Sequence, residues 1–283
     1  MKIGLSTYSV SRAIKAGDLD ILSSLDWIKE NGGEHAEIAL TLQETPDKAK
    51  DIVKKAKDIG LPLSSYTIGA NFIQPDAAKL KAEIARVKKE VDIGGSLGVK
   101  RMRHDAASRP IPDCSIANFM KDLPAVADAV REVADHAKQY GITTSVENHG
   151  FFMQKSDRVQ MLINAVGRDN FRTTVDVGNF LCADEDPAAA LKNNLPLASH
   201  IHFKDFYVRP FHADPGEGWF KSLSGNFLRG AIVGHGDVDI RSIVKLIKAS
   251  GYDGFISVEF EGMEECRQGS KIGMANLKRL FSE

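Results

Sequence analysis

Three runs in the second half of the chain decide the fold: TTSVENHG (143–150), FRTTVDVGN (171–179) and ASHIHFKDF (198–206), joined later by FISVEFEG (255–262). Each is a short apolar or β-branched run that leads into a polar residue: Glu147, Asp176, His202 and Glu259. A helical stretch separates each run from the next. Parallel strands need such crossovers, so the alternation predicts a parallel sheet. In a barrel of parallel strands the C-terminal strand ends converge on one mouth, where active sites of that architecture lie. Three carboxylates and one imidazole make a mostly oxygen donor set, suited to a divalent cation such as Mn²⁺, Mg²⁺ or Co²⁺.

The same rhythm extends to both ends of the chain. Strands are predicted at 2–8, 35–40, 62–68, 100–105, 143–148, 171–177, 199–206 and 255–261. Helices are predicted near 18–31, 47–59, 76–97, 116–140, 156–166, 187–193, 240–250 and 265–281. In the fourth helix Ile116, Phe119, Leu123, Val126, Ala127, Val130, Val133 and Ala134 recur at helical spacing, and Gly141 stops it. Eight βα units favour a closed (β/α)8 TIM barrel, a single α/β domain over 1–283, rather than an open sheet. No GxGxxG follows the first strand and no GK[ST] occurs, so nucleotide-binding fingerprints are absent. One connection, 207–239, is unusually long and rich in glycine and aromatics. Loops of that length are functional or disordered, and the aromatics favour order, with 207–236 over the barrel mouth or in a subunit contact.

Composition sets the class. The 283 residues are 43% hydrophobic and 27% charged with net charge −1, so no basic field recruits nucleic acid or anionic membrane. Three scattered cysteines read as reduced thiols. The opening MKIGLSTYSV lacks a signal peptide's apolar core, and no apolar run approaches the ~20 residues that span a bilayer. The expected setting is cytoplasmic.

VENHG, TVDVGN, HIHFKD and SVEFEG resemble the strand-end motifs of the xylose-isomerase-like barrel superfamily, in its sugar (phosphate) isomerase, epimerase and inosose dehydratase branch. The resemblance covers nearly the whole chain. It implies that Glu147, Asp176, His202 and Glu259 ligate one divalent metal (Mn²⁺, Mg²⁺, Co²⁺ or Zn²⁺), with Glu147 and Glu259 also serving as base and acid. It further implies a sugar isomerase or epimerase that abstracts a proton next to a ketone and passes through an enediolate. The alternative is an inosose-dehydratase-type lyase, which would use the same enediolate and then expel a β-hydroxyl. Asn179 stands where the ketose 3-epimerases and endonuclease IV-type enzymes of the superfamily carry a histidine, and no DxH pair occurs in 207–239. An apurinic-site endonuclease is therefore disfavoured, and the intact ligand set disfavours a non-catalytic sugar-binding protein. GHGDVD (234–239) resembles the family's GxGxxD element before the seventh helix.

Further positions are candidates for substrate contact. His104 ends the fourth strand and is either a substrate contact or a structural histidine. His149 follows Glu147 by two, and Asn179 follows Asp176 by three. Lys204 can meet a sugar hydroxyl or an anionic group, or pair with a barrel carboxylate. Arg209 sits where a carboxylate or phosphate could meet it, and Trp219 could stack on a sugar face. Asn71 is a weaker candidate. The expected partner is a small sugar or polyol-derived substrate, with no nucleic acid or membrane; homo-oligomerisation stays open.

Overall fold

The computed structural model describes residues 1–39 and 47–283. Its barrel strands are β1 (Lys2–Ser6), β2 (Ala36–Ala39), β3 (Leu63–Ile68), β4 (Arg101–His104), β5 (Thr143–Glu147), β6 (Phe171–Asp176), β7 (Ala198–Phe203) and β11 (Phe255–Val258). They close in the order β1-β11-β7-β6-β5-β4-β3-β2, and every pairing is parallel. The helices are α1 (Ser11–Ala16), α2 (Ile21–Glu30), α3 (Lys48–Asp58), α4 (Ala77–Ser96), α5 (Ile116–Ala137), α6 (Ser156–Val166), α7 (Pro187–Asn194), α8 (Ile240–Ser250) and α9 (Cys266–Ser282). This is the expected (β/α)8 barrel. Residue 40, the end of the expected second strand, lies outside the described residues.

Local chemistry sets the boundaries. The expected helix 18–31 begins only at Ile21, because the Asp20 carboxylate accepts from Ser23 N at 2.7 Å and caps it. The fourth expected helix tightens to a 3₁₀ turn at Lys138–Tyr140 and stops at Gly141, whose φ of 62° suits glycine. The first strand ends at Ser6, where a 3₁₀ turn takes over at Thr7–Val10.

Strand alternation sorts the barrel into two environments. Leu5, Ile38, Tyr66, Met102, Val146, Val175, Ile201, Ile256 and Val258 belong to the main apolar core. The alternate positions Glu37, Thr67, Arg103, Ser145, Thr174, His202 and Ser257 are also buried, but meet one another inside the barrel. Ser145 Oγ lies 2.8 Å from Thr174 Oγ1, and Thr67 Oγ1 donates to Glu37. A polar barrel interior is tolerable only when its groups are mutually bonded.

The expected seventh strand, 199–206, divides. Past β7 the chain turns out at Lys204 into β8 (Asp205–Arg209), which forms an antiparallel sheet with β10 (Phe227–Ala231) and β9 (Phe220–Lys221). The long connection is thus an ordered insertion. Phe206 and Leu228 pack with Cys182, beside Phe151 and Leu181. On the same face Gly230 sits so close that a Cβ would lie 2.4 Å from the Glu261 carbonyl oxygen. The sheet therefore rests on the rim of the mouth. Among the described residues no helix is long and apolar enough to cross a membrane.

Candidate metal centre

The structure brings together one ligand atom each from Glu147, Asp176, His202 and Glu259, all within 4.8 Å of one another and all buried. Asp176 ends β6, braced against Asn148, whose amide donates to Asp176 O at 2.8 Å and accepts from Asp176 N at 2.9 Å. Its Oδ1 accepts from Gly178 N and Asn179 N at 2.8 and 2.9 Å. Its Oδ2 is buried with no hydrogen-bond partner. His202 Nε2 donates to Glu37 Oε2 at 2.8 Å, which leaves Nδ1 to face the other ligands. Burial works against its charge, but Glu37, Glu259 and Glu147 hold the imidazole well above the ordinary histidine range, so a cation binding at Nδ1 displaces a proton. That Nδ1 is also buried without a hydrogen bond, 3.4 Å from Glu147 Oε1 and 3.9 Å from Glu259 Oε2. Two buried ligand atoms without hydrogen bonds, converging with the carboxylates, fit a cation, because unmade hydrogen bonds in the interior are costly. A carboxylate behind a histidine is also the arrangement that orients metal-ligating imidazoles.

Electrostatics agree with that fit. Burial, then the charges of Glu147 and Glu259, push the Asp176 carboxyl up to about 7 against the pull of Lys204. Burial would raise Glu147 too, but the Arg103 guanidinium and His202 hold it well below the usual carboxylate range. Arg103, on β4, pairs with Glu147 and with Asp105 at 2.8 Å. Lys204 reaches Glu259 at 2.8 Å, Glu261 at 3.2 Å and Asp176 at 3.7 Å. Burial works against its charge, but these carboxylates win and keep the ammonium strongly protonated. Crowded acidic donors and neutralising cations behind them make a site that could hold a divalent ion.

The other expected residues divide. A cavity of about 230 Å³ opens above the four donors, and its walls include His149, Lys204, Glu147 and Glu259. His149 Nδ1 is 3.0 Å from Asp105 Oδ1. Asn179 donates to Glu147 Oε1 at 3.1 Å, and its Oδ1 accepts from Lys204 at 3.3 Å. His104 is not brought to this cavity: it is fully buried, stacks on Phe171, meets Phe72 edge-on, and bonds Asp105 O at 2.9 Å. Burial drops its pKa to about 4. His200, two residues before His202, bonds Ser257 Oγ at 2.8 Å inside the barrel. Asn71 braces Ile73 N and Ser108 N. Arg209 pairs with Asp237 at 3.4 Å, and Trp219 lies between the guanidinium groups of Arg209 and Arg229, 5.6 and 5.0 Å from its ring. No wall residue of the cavity comes from 207–236, so the insertion flanks the mouth at Glu261–Gly262.

Sequence reasoning missed Glu37, Arg103, Asp105, Glu261 and Tyr8, the last a wall residue of the cavity beside Glu261. The signal for three of them was periodicity: Glu37 is the charged residue within AEIA, Arg103 shares a face with Arg101, and Glu261 follows Glu259 by two. Tyr8 and Asp105 lie just past their strands, where alternation no longer indicates direction.

The chain belongs to the xylose isomerase-like TIM barrel family, whose pattern matches residues 25–280. Among its relatives, the inosose dehydratase of Lacticaseibacillus casei is 29% identical over 139 residues, 48% of this chain and 46% of that protein. The chain thus spans about half the length of the curated relatives it matches. Two solved structures share the whole fold. A D-psicose 3-epimerase with D-tagatose, from Clostridium cellulolyticum H10, superposes with a TM-score of 0.77 at 15% identity, covering 99% of both chains. The probable 3-DHS dehydratase of Bacillus anthracis gives 0.75 at 17% identity, covering 98% of this chain and 99% of that one.

Proposed function

We propose that this protein is a metal-dependent sugar isomerase or epimerase that abstracts a proton next to the carbonyl of a ketose or polyol-derived ketone. The observation that carries this reading is the pair of buried ligand atoms without hydrogen bonds, Asp176 Oδ2 and His202 Nδ1, facing Glu147 and Glu259. A divalent ion held by these four residues would polarise the ketone and stabilise enediolate charge. Glu147 and Glu259 come from non-adjacent staves, β5 and the end of β11, with β6 and β7 between them. One accepts the substrate proton and the other returns a proton, so charge balances over the cycle. Arg103 and Lys204 keep both carboxylates positioned.

A second reading, an inosose-dehydratase-type lyase, is favoured by the identity of the curated relatives. It shares the first step. The enediolate electrons then expel a β-hydroxyl, which leaves as water with a proton from a cavity-wall donor such as His149. Turnover in D₂O tests both. Deuterium on the carbon beside the carbonyl supports enolisation, and intramolecular hydrogen transfer without label refutes it. Loss of water from the substrate assigns the lyase branch.

A further inference from the structure

We propose that the floor of the barrel, at the N-terminal strand ends opposite the metal centre, binds a phosphate group, as free phosphate or as a phosphate monoester. Strand alternation builds the site. Arg101 lies two residues before Arg103 on β4, and Arg172 lies two before Thr174 and four before Asp176 on β6, so both arginines share the inward face of their strands. Arg101 crosses the floor: its Nε donates to Ser199 O on β7 at 2.9 Å, and its guanidinium lies 5.2 Å from the Phe255 ring of β11. Lys2 Nζ stands 6.0 Å from the same ring. With Lys100, the two arginines line a cavity of about 650 Å³.

What sets this cluster apart is its missing countercharge. Among the described residues none of Lys2, Lys100, Arg101 and Arg172 forms an ion pair. The carboxylate that lines the cavity, Asp253, is already paired with the Met1 amino group. Elsewhere the likewise half-buried Arg86, Arg109 and Arg131 each hold a carboxylate, from Glu83, Asp122 and Asp128. Like charges sharing one half-buried cavity repel, and a bound anion removes that cost. The donors favour phosphate. Arg101 spends one N–H on Ser199, and Arg172 makes no hydrogen bond among the described residues, so both planar forks stay open. Guanidinium forks match paired phosphate oxygens, and Lys100, whose Nζ rests on Tyr140 O at 3.0 Å, adds a point charge suited to a dianion. Arg172 and Asp176 are four residues apart on one strand, roughly 13 Å, so this site is separate from the metal.

The test is calorimetric titration of the purified protein with inorganic phosphate and with glycerol 3-phosphate, beside Arg172→Gln and Arg101→Gln, with metal content measured on every sample. One phosphate group per chain should bind at the floor, more weakly at higher salt, and raise the unfolding temperature. Each substitution should weaken that binding on the order of 10–100-fold at unchanged metal content, the loss of charge-assisted hydrogen bonds. Tighter binding of the ester makes a phosphate monoester the occupant, and tighter binding of inorganic phosphate makes it the free ion. Arg172 has no hydrogen bond in the fold to lose, so Arg172→Gln decides the matter where Arg101→Gln fails to fold. Absence of binding by both compounds at millimolar concentration overturns the inference. So does binding that Arg172→Gln leaves untouched, which would put the anion elsewhere on the molecule.

Discussion

Glu37 offers the sharpest test of how the metal centre is built, because it reaches the four donors through its hydrogen bond to His202. Its Oε2 takes the His202 Nε2–H at 2.8 Å and its Oε1 takes the Thr67 hydroxyl, with the side chain fully buried. Glu37→Gln conserves volume. The amide oxygen can still accept from His202 while the NH₂ turns to the Thr67 oxygen, so packing is preserved and one charge is lost. That charge makes His202 a stronger donor toward a cation and fixes which nitrogen carries the proton. Losing such an outer partner typically costs 10–100-fold in metal affinity, or about 1.4–2.8 kcal/mol. Competition titration of Mn²⁺ or Zn²⁺ against a chromophoric chelator reads the affinity, and ¹⁵N NMR of the imidazole reads the tautomer. Thermal unfolding should stay within a few degrees of wild type. Wild-type affinity in Glu37→Gln, with His202 still protonated on Nε2, would refute the reasoning.

Three further outcomes are expected. Asp176, raised to about 7, and His202, raised well above the ordinary histidine value, must each release a proton to take a cation, so metal affinity should climb steeply with pH below 7 and keep rising above it, as titrations across that range would show. In the metal-free protein the raised Asp176 value favours folding below the ordinary carboxyl pKa of 3.8, and this contribution is lost as pH rises through 7. Gly230→Ala should push β10 off the Glu261 carbonyl, costing about 1–3 kcal/mol and exposing 207–236 to proteolysis. Trp219→Ala removes two cation–π contacts and should lower stability by about 1–2 kcal/mol with metal content unchanged. A fall in kcat/KM at undiminished stability would instead make the insertion a lid over the substrate.

The barrel was legible because alternating periods of two and 3.6 residues repeat eight times with clean stops such as Gly141. The four donors were legible because each sits at or just past the end of a strongly patterned strand. The layer behind them was harder to read. Glu37 sits in a four-residue strand of ordinary composition, and only the closed barrel brings β2 opposite β7, so its bond to His202 spans 165 residues of sequence. His104 looked like a mouth residue by position, but strand alternation turns it outward to Phe72 and Phe171 while Arg103 takes the inner place. The sheet in 207–239 was hidden because β9 is only two residues long and β10 reads FLRGA, with no apolar–polar alternation to show a period.

One divalent ion held by Glu147, Asp176, His202 and Glu259 is tested by metal quantification by mass spectrometry on purified wild type and Asp176→Asn, each equilibrated with Mn²⁺ and desalted, with thermal unfolding of both. One ion per chain is expected in wild type and none in the variant, whose fold persists because the amide keeps the volume and the Gly178 and Asn179 bonds. Full occupancy in Asp176→Asn, or an anomalous-scattering peak away from these four residues, would contradict this assignment.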